Sequence, residues 1–332
     1  MLLLAGGGTK VLAGEFHPDV AWAVTQLSAT TDKAPGIAMT GANSAIGVIR
    51  NTMVGNDIGY TTWAPGSFQA FTSIASGVTT QAAPSIAATG TRADVAFLGD
   101  DNKHYYAARM AAWSPIAEAV GGVAAQSFGS TPAAVTGIGS DTIVAFVGSN
   151  GDLYDQTRSG GVWLAASSHN LGNTLALQPA IIAPTTGPSL MIAYVRSTDA
   201  KILFTTRTGN VWTAPALIDA SSFTADPVAL AALPNGEAVL AFRGLDNAIY
   251  FSRYTPGNVP AWSPPGPLVT PNVATPSRPA LAAGVGGVDA EIGFINSADG
   301  KAYHARLTGT SWSAPVVVGG AQLTTVAIAS AP

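Results

Sequence analysis

Ala225-Asp-Pro-Val228, then Leu240-Ala-Phe-Arg-Gly-Leu-Asp-Asn-Ala-Ile-Tyr250, then Ala261-Trp-Ser263 spell out a unit that the whole chain repeats. A Pro opens a short strand, and a Gly-containing turn follows. An apolar strand then ends in an aromatic residue. An Asp or Asn makes the next turn, with an aromatic residue four positions beyond it. A Trp starts the last strand. Working outward, the Pro recurs as Pro35, Pro84, Pro132, Pro179, Pro227 and Pro279. The apolar strand recurs as Val95-Ala-Phe97, Val144-Ala-Phe146, Ile192-Ala-Tyr194, Leu240-Ala-Phe242 and Ile292-Gly-Phe294. The turn residues are Asn56, Asp101, Asn150, Asp199, Asp246 and Asp299, followed by Tyr60, Tyr105, Tyr154, Leu203, Tyr250 and Tyr303. All seven Trp join one series: Trp22, Trp63, Trp113, Trp163, Trp212, Trp262 and Trp312. Their spacings are 41, 50, 50, 49, 50 and 50 residues.

Four short strands in a period of about 48 residues, punctuated by turns, make one propeller blade. Blades stack face to face, so both faces of each sheet are buried and the strands read as nearly continuous apolar runs. No segment shows sustained helical periodicity. The expected fold is all-β, a seven-bladed β-propeller with four antiparallel strands per blade. The two ends supply the seventh blade. Thr324 to Ser330 reads as a first strand, while residues 1–32 supply the second, third and fourth strands of the same blade. Leu2 to Leu12 aligns with Val95 to Tyr106 in this reading, and Trp22 opens the fourth strand. The ring is thus closed by pairing the C-terminal strand with the N-terminal strands, which removes two exposed edges. The chain is read as a single domain. It comprises the split blade 1–32 plus 324–332 and repeats of about 33–81, 82–129, 130–176, 177–224, 225–275 and 276–323.

Composition agrees with this picture and excludes some functions. Charged residues are 10% of the chain, with 37 Gly, 22 Pro and no Cys, so no disulfide ties the fold. A net charge of −4 argues against a nucleic-acid partner, which requires a basic surface. Met1 to Ala5 is apolar but is cut short by Gly6, too short a run for a signal peptide. No stretch approaches the roughly 20 apolar residues of a membrane helix, so no membrane insertion is expected.

The unit quoted at the outset resembles the blade repeat of the PVL-like propeller lectins of bacteria and fungi, of the fucose- or GlcNAc-binding type. The shared features are the anchor Pro, the aromatic-ended strand, the Arg243-Gly-Leu-Asp-Asn247 turn, the following aromatic and Trp262-Ser263. The resemblance covers the whole chain as grammar and the Asp226–Trp262 blade closely. It implies a seven-bladed fold and multivalent binding of simple sugars. The family often has Glu where this chain has Val95, Val144 and Leu240, and tends to have Trp where it has Tyr250 and Tyr303.

The candidate sugar-binding residues are the Arg and Trp that flank the last hairpin of successive blades. They are Arg109 with Trp113, Arg158 with Trp163, Arg207 with Trp212, Arg253 with Trp262, and Arg306 with Trp312. A guanidinium offers paired donors to sugar hydroxyls while an indole packs on the sugar ring. The competing reading makes each Trp filler between blades and each Arg its surface cover. Arg243, Asp246, Asn247 and Tyr250 join the candidates in the blade closest to the lectin repeat.

The Asp and Asn series also suits plain turn-making, since these side chains cap the local backbone. Asp100-Asp101-Asn102 and Asp246-Asn247 offer oxygens to Ca²⁺, but without the alternating spacing and closing Glu of a calcium loop. No other cofactor is suggested.

Catalysis has little support. His17, His104, His169 and His304 lack metal-site spacing. Ser297-Ala-Asp-Gly300 resembles the Asp-box turn of sialidases. The only Glu residues, Glu15, Glu118, Glu237 and Glu291, fall at unrelated repeat positions, so no paired-carboxylate site is marked. Three functions therefore stand in order: a non-enzymatic multivalent lectin for glycans or glycoconjugates, a propeller scaffold for protein partners, and a sialidase-like glycosidase. Repetition separates them, because Arg and Trp recur from blade to blade. A lectin would act outside the cell or at its surface. Sugar identity and oligomeric state stay open.

Overall fold

The computed structural model describes residues 1–7, 10–17, 20–118, 131–169, 177–269 and 273–330. Gly8 and Thr9, used in aligning the split blade, and the side chains of His17 and Glu118 fall outside this description. Seven antiparallel sheets form the ring, and among the described residues the only helices are two short 3-10 turns, Thr52–Val54 and Pro234–Gly236. Blade 1 is the split one. From the inside out it runs Thr325–Ala329, Leu2–Gly7, Lys10–His17 and Val20–Leu27. Blades 2 to 7 begin with Gly36–Gly41, Ser85–Thr89, Ala134–Ile138, Ala180–Ile182, Ala229–Ala232 and Ala280–Ala283. The closure follows the expected antiparallel register, from Leu2 opposite Ala329 to Gly6 opposite Thr325. Thr324 N–H adds a further bond to the Gly6 carbonyl at 3.0 Å.

Stacking explains the apolar strands. Every residue of the second strands Leu190–Val195 and Ala290–Ile295 is buried. Phe97, Phe146, Tyr194 and Phe294, the aromatic ends of such strands, are fully buried between blades.

The outermost strand is interrupted. In blade 5, Val211–Trp212 pairs with the third strand, the chain lifts away, and Ala216–Leu217 pairs again. Blades 2, 4 and 7 do the same. In blades 3, 5, 6 and 7 the sequence reason is Pro115, Pro215, Pro264 and Pro315, two or three residues after the Trp. Proline has no N–H for the ladder, and an interrupted edge resists pairing with another molecule.

One member of the Trp series lies elsewhere. Trp63 belongs to the third strand of blade 2, Asp57–Ala64, and Phe68 takes the place opposite it that Trp holds in later blades. The irregular first spacing of 41 residues reflects this change.

Candidate functional site

The third strand of each blade sets the sites, because its side chains alternate between two neighbouring gaps. Tyr60, Tyr106, Phe204, Phe251 and His304 occupy one register position and face the next blade. Each meets that blade's Trp at a steep angle. The centroid distances are 5.3 Å for Tyr60–Trp113, 5.2 Å for Tyr106–Trp163, 5.6 Å for Phe204–Trp262, 5.7 Å for Phe251–Trp312 and 5.3 Å for His304–Trp22. In blade 4 the position is Asp155, whose Oδ1 lies 2.8 Å from His169 Nε2, and His169 in turn meets Trp212 at 4.6 Å. The Trp are thus wedges between blades, and Trp262 is 2% exposed. Trp113, Trp163, Trp212 and Trp312 remain half-buried, with an edge left at the surface.

The five arginines divide into two classes. Arg109, Arg158 and Arg207 stand opposite Ala93, Thr142 and Leu190, the equivalent residues of their second strands. At that register blade 6 has Tyr254, opposite Ala238, and blade 7 has Leu307, opposite Ala290. Arg253 and Arg306 come one residue earlier. In a strand a shift of one residue turns the side chain to the other face. The common series expected from sequence is therefore corrected: Arg253 and Arg306 point into the gaps on the far side of their blades.

The first class forms three similar clusters. The Arg109 guanidinium lies 5.5 Å from the Tyr60 centroid, beside Trp113, between blades 2 and 3. Arg158 lies 5.2 Å from Tyr106, beside Trp163, between blades 3 and 4. Arg207 lies 5.8 Å from Trp212, with Nη1 3.7 Å from Asp155, between blades 4 and 5. Among the described residues, Arg109 and Arg158 form neither a hydrogen bond nor an ion pair with protein. The Nε atoms of Arg109 and Arg207 are sealed without partners. An unmet buried donor costs about 1–3 kcal/mol.

Tyr106 is fixed from behind. Its hydroxyl donates to Asp94, a fully buried carboxylate that also accepts from Arg92 Nε at 2.9 Å and Thr89 Oγ1 at 2.8 Å. Burial, then Asp94, pushes the Tyr106 phenol up to about 12.

In the second class Arg253 is committed to the fold, whereas the buried Nε of Arg306 has no hydrogen-bond partner. Arg253 Nη2 donates to Glu237 at 2.7 Å, while Nη1 donates to Asp289 at 3.1 Å and to the Gly309 carbonyl at 2.6 Å. It ties blade 6 to blade 7. Arg253 and Trp262 still border one cavity of about 660 Å³, but Trp262 packs against Phe204 of blade 5 instead of beside the guanidinium. Arg306 caps Phe16 of blade 1 at 4.1 Å, with Nε 3.5 Å from Glu291. Trp312 is on the other side of its blade, against Phe251.

Arg243, Asp246, Asn247 and Tyr250 cluster at the opposite end of blade 6 from Arg253. Tyr250 and Arg253 stand three residues apart on the strand Ile249–Tyr254, roughly 10 Å, and the turn residues lie beyond Tyr250. Arg243 uses all its nitrogens internally, on the Thr275 carbonyl at 2.9 Å, on Asp226 at 2.6 Å and on Asn247. Asp246 accepts from Ala248 N at 3.0 Å and Tyr250 Oη at 2.8 Å. Asp101 with Tyr105 and Asp299 with Tyr303 repeat this clamp. A Cβ at Gly244 would come within 2.8 Å of the Tyr250 ring, which is why glycine stands beneath it. These carboxylates are satisfied within their turns, as turn-making residues should be.

Sequence reasoning missed Tyr60, Tyr106, Asp155, His169 and the aromatic positions equivalent to them. A signal did exist. In five repeats the residue just after the turn aromatic is large or polar: Tyr106, Asp155, Phe204, Phe251 and His304.

Fold and site together define a seven-bladed β-propeller with inter-blade clusters of arginine and aromatic residues. Among solved structures, the chain is similar to a lectin from Burkholderia pseudomallei, with 15% identity, a TM-score of 0.78, and 96% and 95% of the two chains covered. It is also similar to the fucose-specific lectin from Aleuria aurantia, with 17% identity, a TM-score of 0.57, and 87% and 96% covered. A third likeness is to AofleA from Arthrobotrys oligospora, with 11% identity, a TM-score of 0.58 and 90% of each chain covered. At these identities the likeness is one of fold. No protein-family model and no curated protein matches the sequence.

Proposed function

We propose that the protein is a non-enzymatic, multivalent lectin whose sugar sites lie between blades 2 and 3, 3 and 4, and 4 and 5. The carrying observation is the threefold recurrence of one cluster: Arg109 with Tyr60 and Trp113, Arg158 with Tyr106 and Trp163, and Arg207 with His169 and Trp212. Each brings a guanidinium with donors to spare next to an indole edge and a second ring. Such a group binds vicinal hydroxyls, and the aromatic surface takes the apolar face of a pyranose. The lectins with similar folds support this reading, and the fucose-specific one suggests a deoxyhexose as ligand. Neither a metal nor another cofactor is needed for such binding. A glycan ligand places the action outside the cell or at its surface.

Individual sites of this kind are weak, about millimolar, and gain strength when several engage one glycan-bearing surface. The test is a glycan array followed by calorimetry with methyl α-L-fucoside and N-acetylglucosamine. Several equivalent weak sites per chain are expected, with one lost in Arg158→Ala. Absence of any sugar binding, or one tight site per chain, would overturn the reading.

A further inference from the structure

The innermost strands of all seven blades line a central channel of about 220 Å³. Aliphatic side chains at one repeat position border it, among them Ile37, Ile86, Val135, Leu230 and Leu281, with prolines at one end, while polar atoms supply the larger share of its exposed lining. A single charged side chain, Arg278, interrupts this lining.

Arg278 precedes the anchor Pro279, a position held by Ala34 and Ala83 in blades 2 and 3. Its Nη1 donates to Gln178 Oε1 at 2.8 Å, and Gln178 Nε2 donates to the Ala133 carbonyl at 2.8 Å. The amide is therefore fixed with its oxygen toward the guanidinium. This leaves the Nε–Nη2 edge of Arg278 without a protein acceptor among the described residues. These atoms are not sealed off as the Nε atoms of Arg109 and Arg207 are. No carboxylate among the described residues lies within ion-pair distance of Arg278. The nearby Asp226 is already paired with Arg243 at 2.6 Å. Desolvation pulls the Arg278 guanidinium below its ordinary range, offset in part by Asp226.

A partly desolvated guanidinium is stabilised when it is paired. Its free Nε–Nη2 edge matches a carboxylate, which it binds through two parallel hydrogen bonds. We infer that the channel is a binding site for a small monocarboxylate, with the carboxylate on Arg278 and a short apolar tail against the aliphatic side chains that border the channel. One cation balances one negative charge, which favours a monocarboxylate over phosphate or sulfate. This site is separate from the sugar clusters, since Arg278 lies on the innermost wall and they lie between the outer strands.

Butyrate and acetate are the probes, with sodium chloride of equal ionic strength as control. Thermal melting and calorimetry should both show saturable 1:1 binding, with butyrate about tenfold tighter than acetate, the worth of two buried methylenes. Arg278→Gln should abolish the effect. Should that variant fold poorly, Arg278→Lys keeps the charge, loses the two-point edge, and should weaken butyrate about tenfold. Three outcomes would overturn the inference: no saturable response beyond the chloride control, equal binding in the variants, or binding of phosphate or sulfate in preference to butyrate. Sugar stoichiometry is read separately, so failure here leaves the lectin reading intact.

Discussion

The guanidinium of Arg158 lies 5.2 Å from the centre of the Tyr106 ring, reaching from one blade to the next. Tyr106 meets Trp163 edge-on at 5.2 Å, and its hydroxyl is anchored on buried Asp94. The ring is thus held from behind, and the cation rests on it without a protein acceptor among the described residues. Cation and ring together are worth about 0.5–1 kcal/mol at a partly exposed site. That is enough to orient the guanidinium and too little to account for a sealed structural pair. The contrast with Arg253, whose guanidinium is spent on Glu237, Asp289 and Gly309, decides which arginines are available to a ligand.

Arg253→Ala and Arg158→Ala should therefore behave in opposite ways. The first removes the cation that bridges two carboxylates and a carbonyl, and should cost about 1–3 kcal/mol, with sugar stoichiometry unchanged. The second should remove one sugar site and cost under about 1 kcal/mol. Denaturant unfolding paired with calorimetric titration checks both. Equal stability of the two variants would refute the division.

Trp262 is packed by Phe204 and Tyr254 at 5.6 and 5.4 Å and is almost wholly buried. Trp262→Ala should cost about 3–5 kcal/mol through the cavity it leaves. Trp163→Ala, at a half-buried wedge, should cost less and take one sugar site with it. Melting curves of the two variants give the comparison.

The closing strand Thr325–Ala329 is the inner partner of Leu2–Gly7. Deleting residues 324–332 should expose Leu2, Leu3 and Leu4, all buried in the intact ring, along an unpaired edge. Self-association in size-exclusion chromatography and a clearly lower Tm are expected. A monomer melting within a few degrees of the parent would show that the ring stays shut without this strand.

Alkaline pH should weaken the fold through its buried phenols. Burial and Asp94 raise Tyr106 to about 12, and burial raises Tyr194 as well. The folded state then holds these protons more tightly than the unfolded chain, whose Tyr titrates near 10. Their stabilising contribution is complete below about pH 10 and is lost as pH rises toward 12. Unfolding free energy measured from pH 9 to 12 should fall, and less steeply in Tyr106→Phe. An identical slope in that variant would contradict the assignment.

Much of the fold could be read from residue order. Pro279, Phe294, Asp299 and Trp312 mark a blade because proline cannot join the ladder, a bulky ring fills the wedge, Asp caps a turn and Trp packs at the rim. Each of these is a local demand. The site was only partly legible. Arg253 sits four to nine residues before a Trp, as Arg158 does, yet the longer hairpin of blade 6 places it one register earlier and reverses its face.

The sequence by itself determined the number of blades, their strand order and the closure at the ends. Repeat spacing and alternation follow from backbone geometry, which is the same in every copy. Only the tertiary structure decided which side chains meet. Tyr60 and Arg109, Tyr106 and Arg158, and Arg278 and Gln178 belong to different blades and come together through stacking around a ring. Repeat grammar describes each blade alone, whereas those contacts depend on the register of one blade against another.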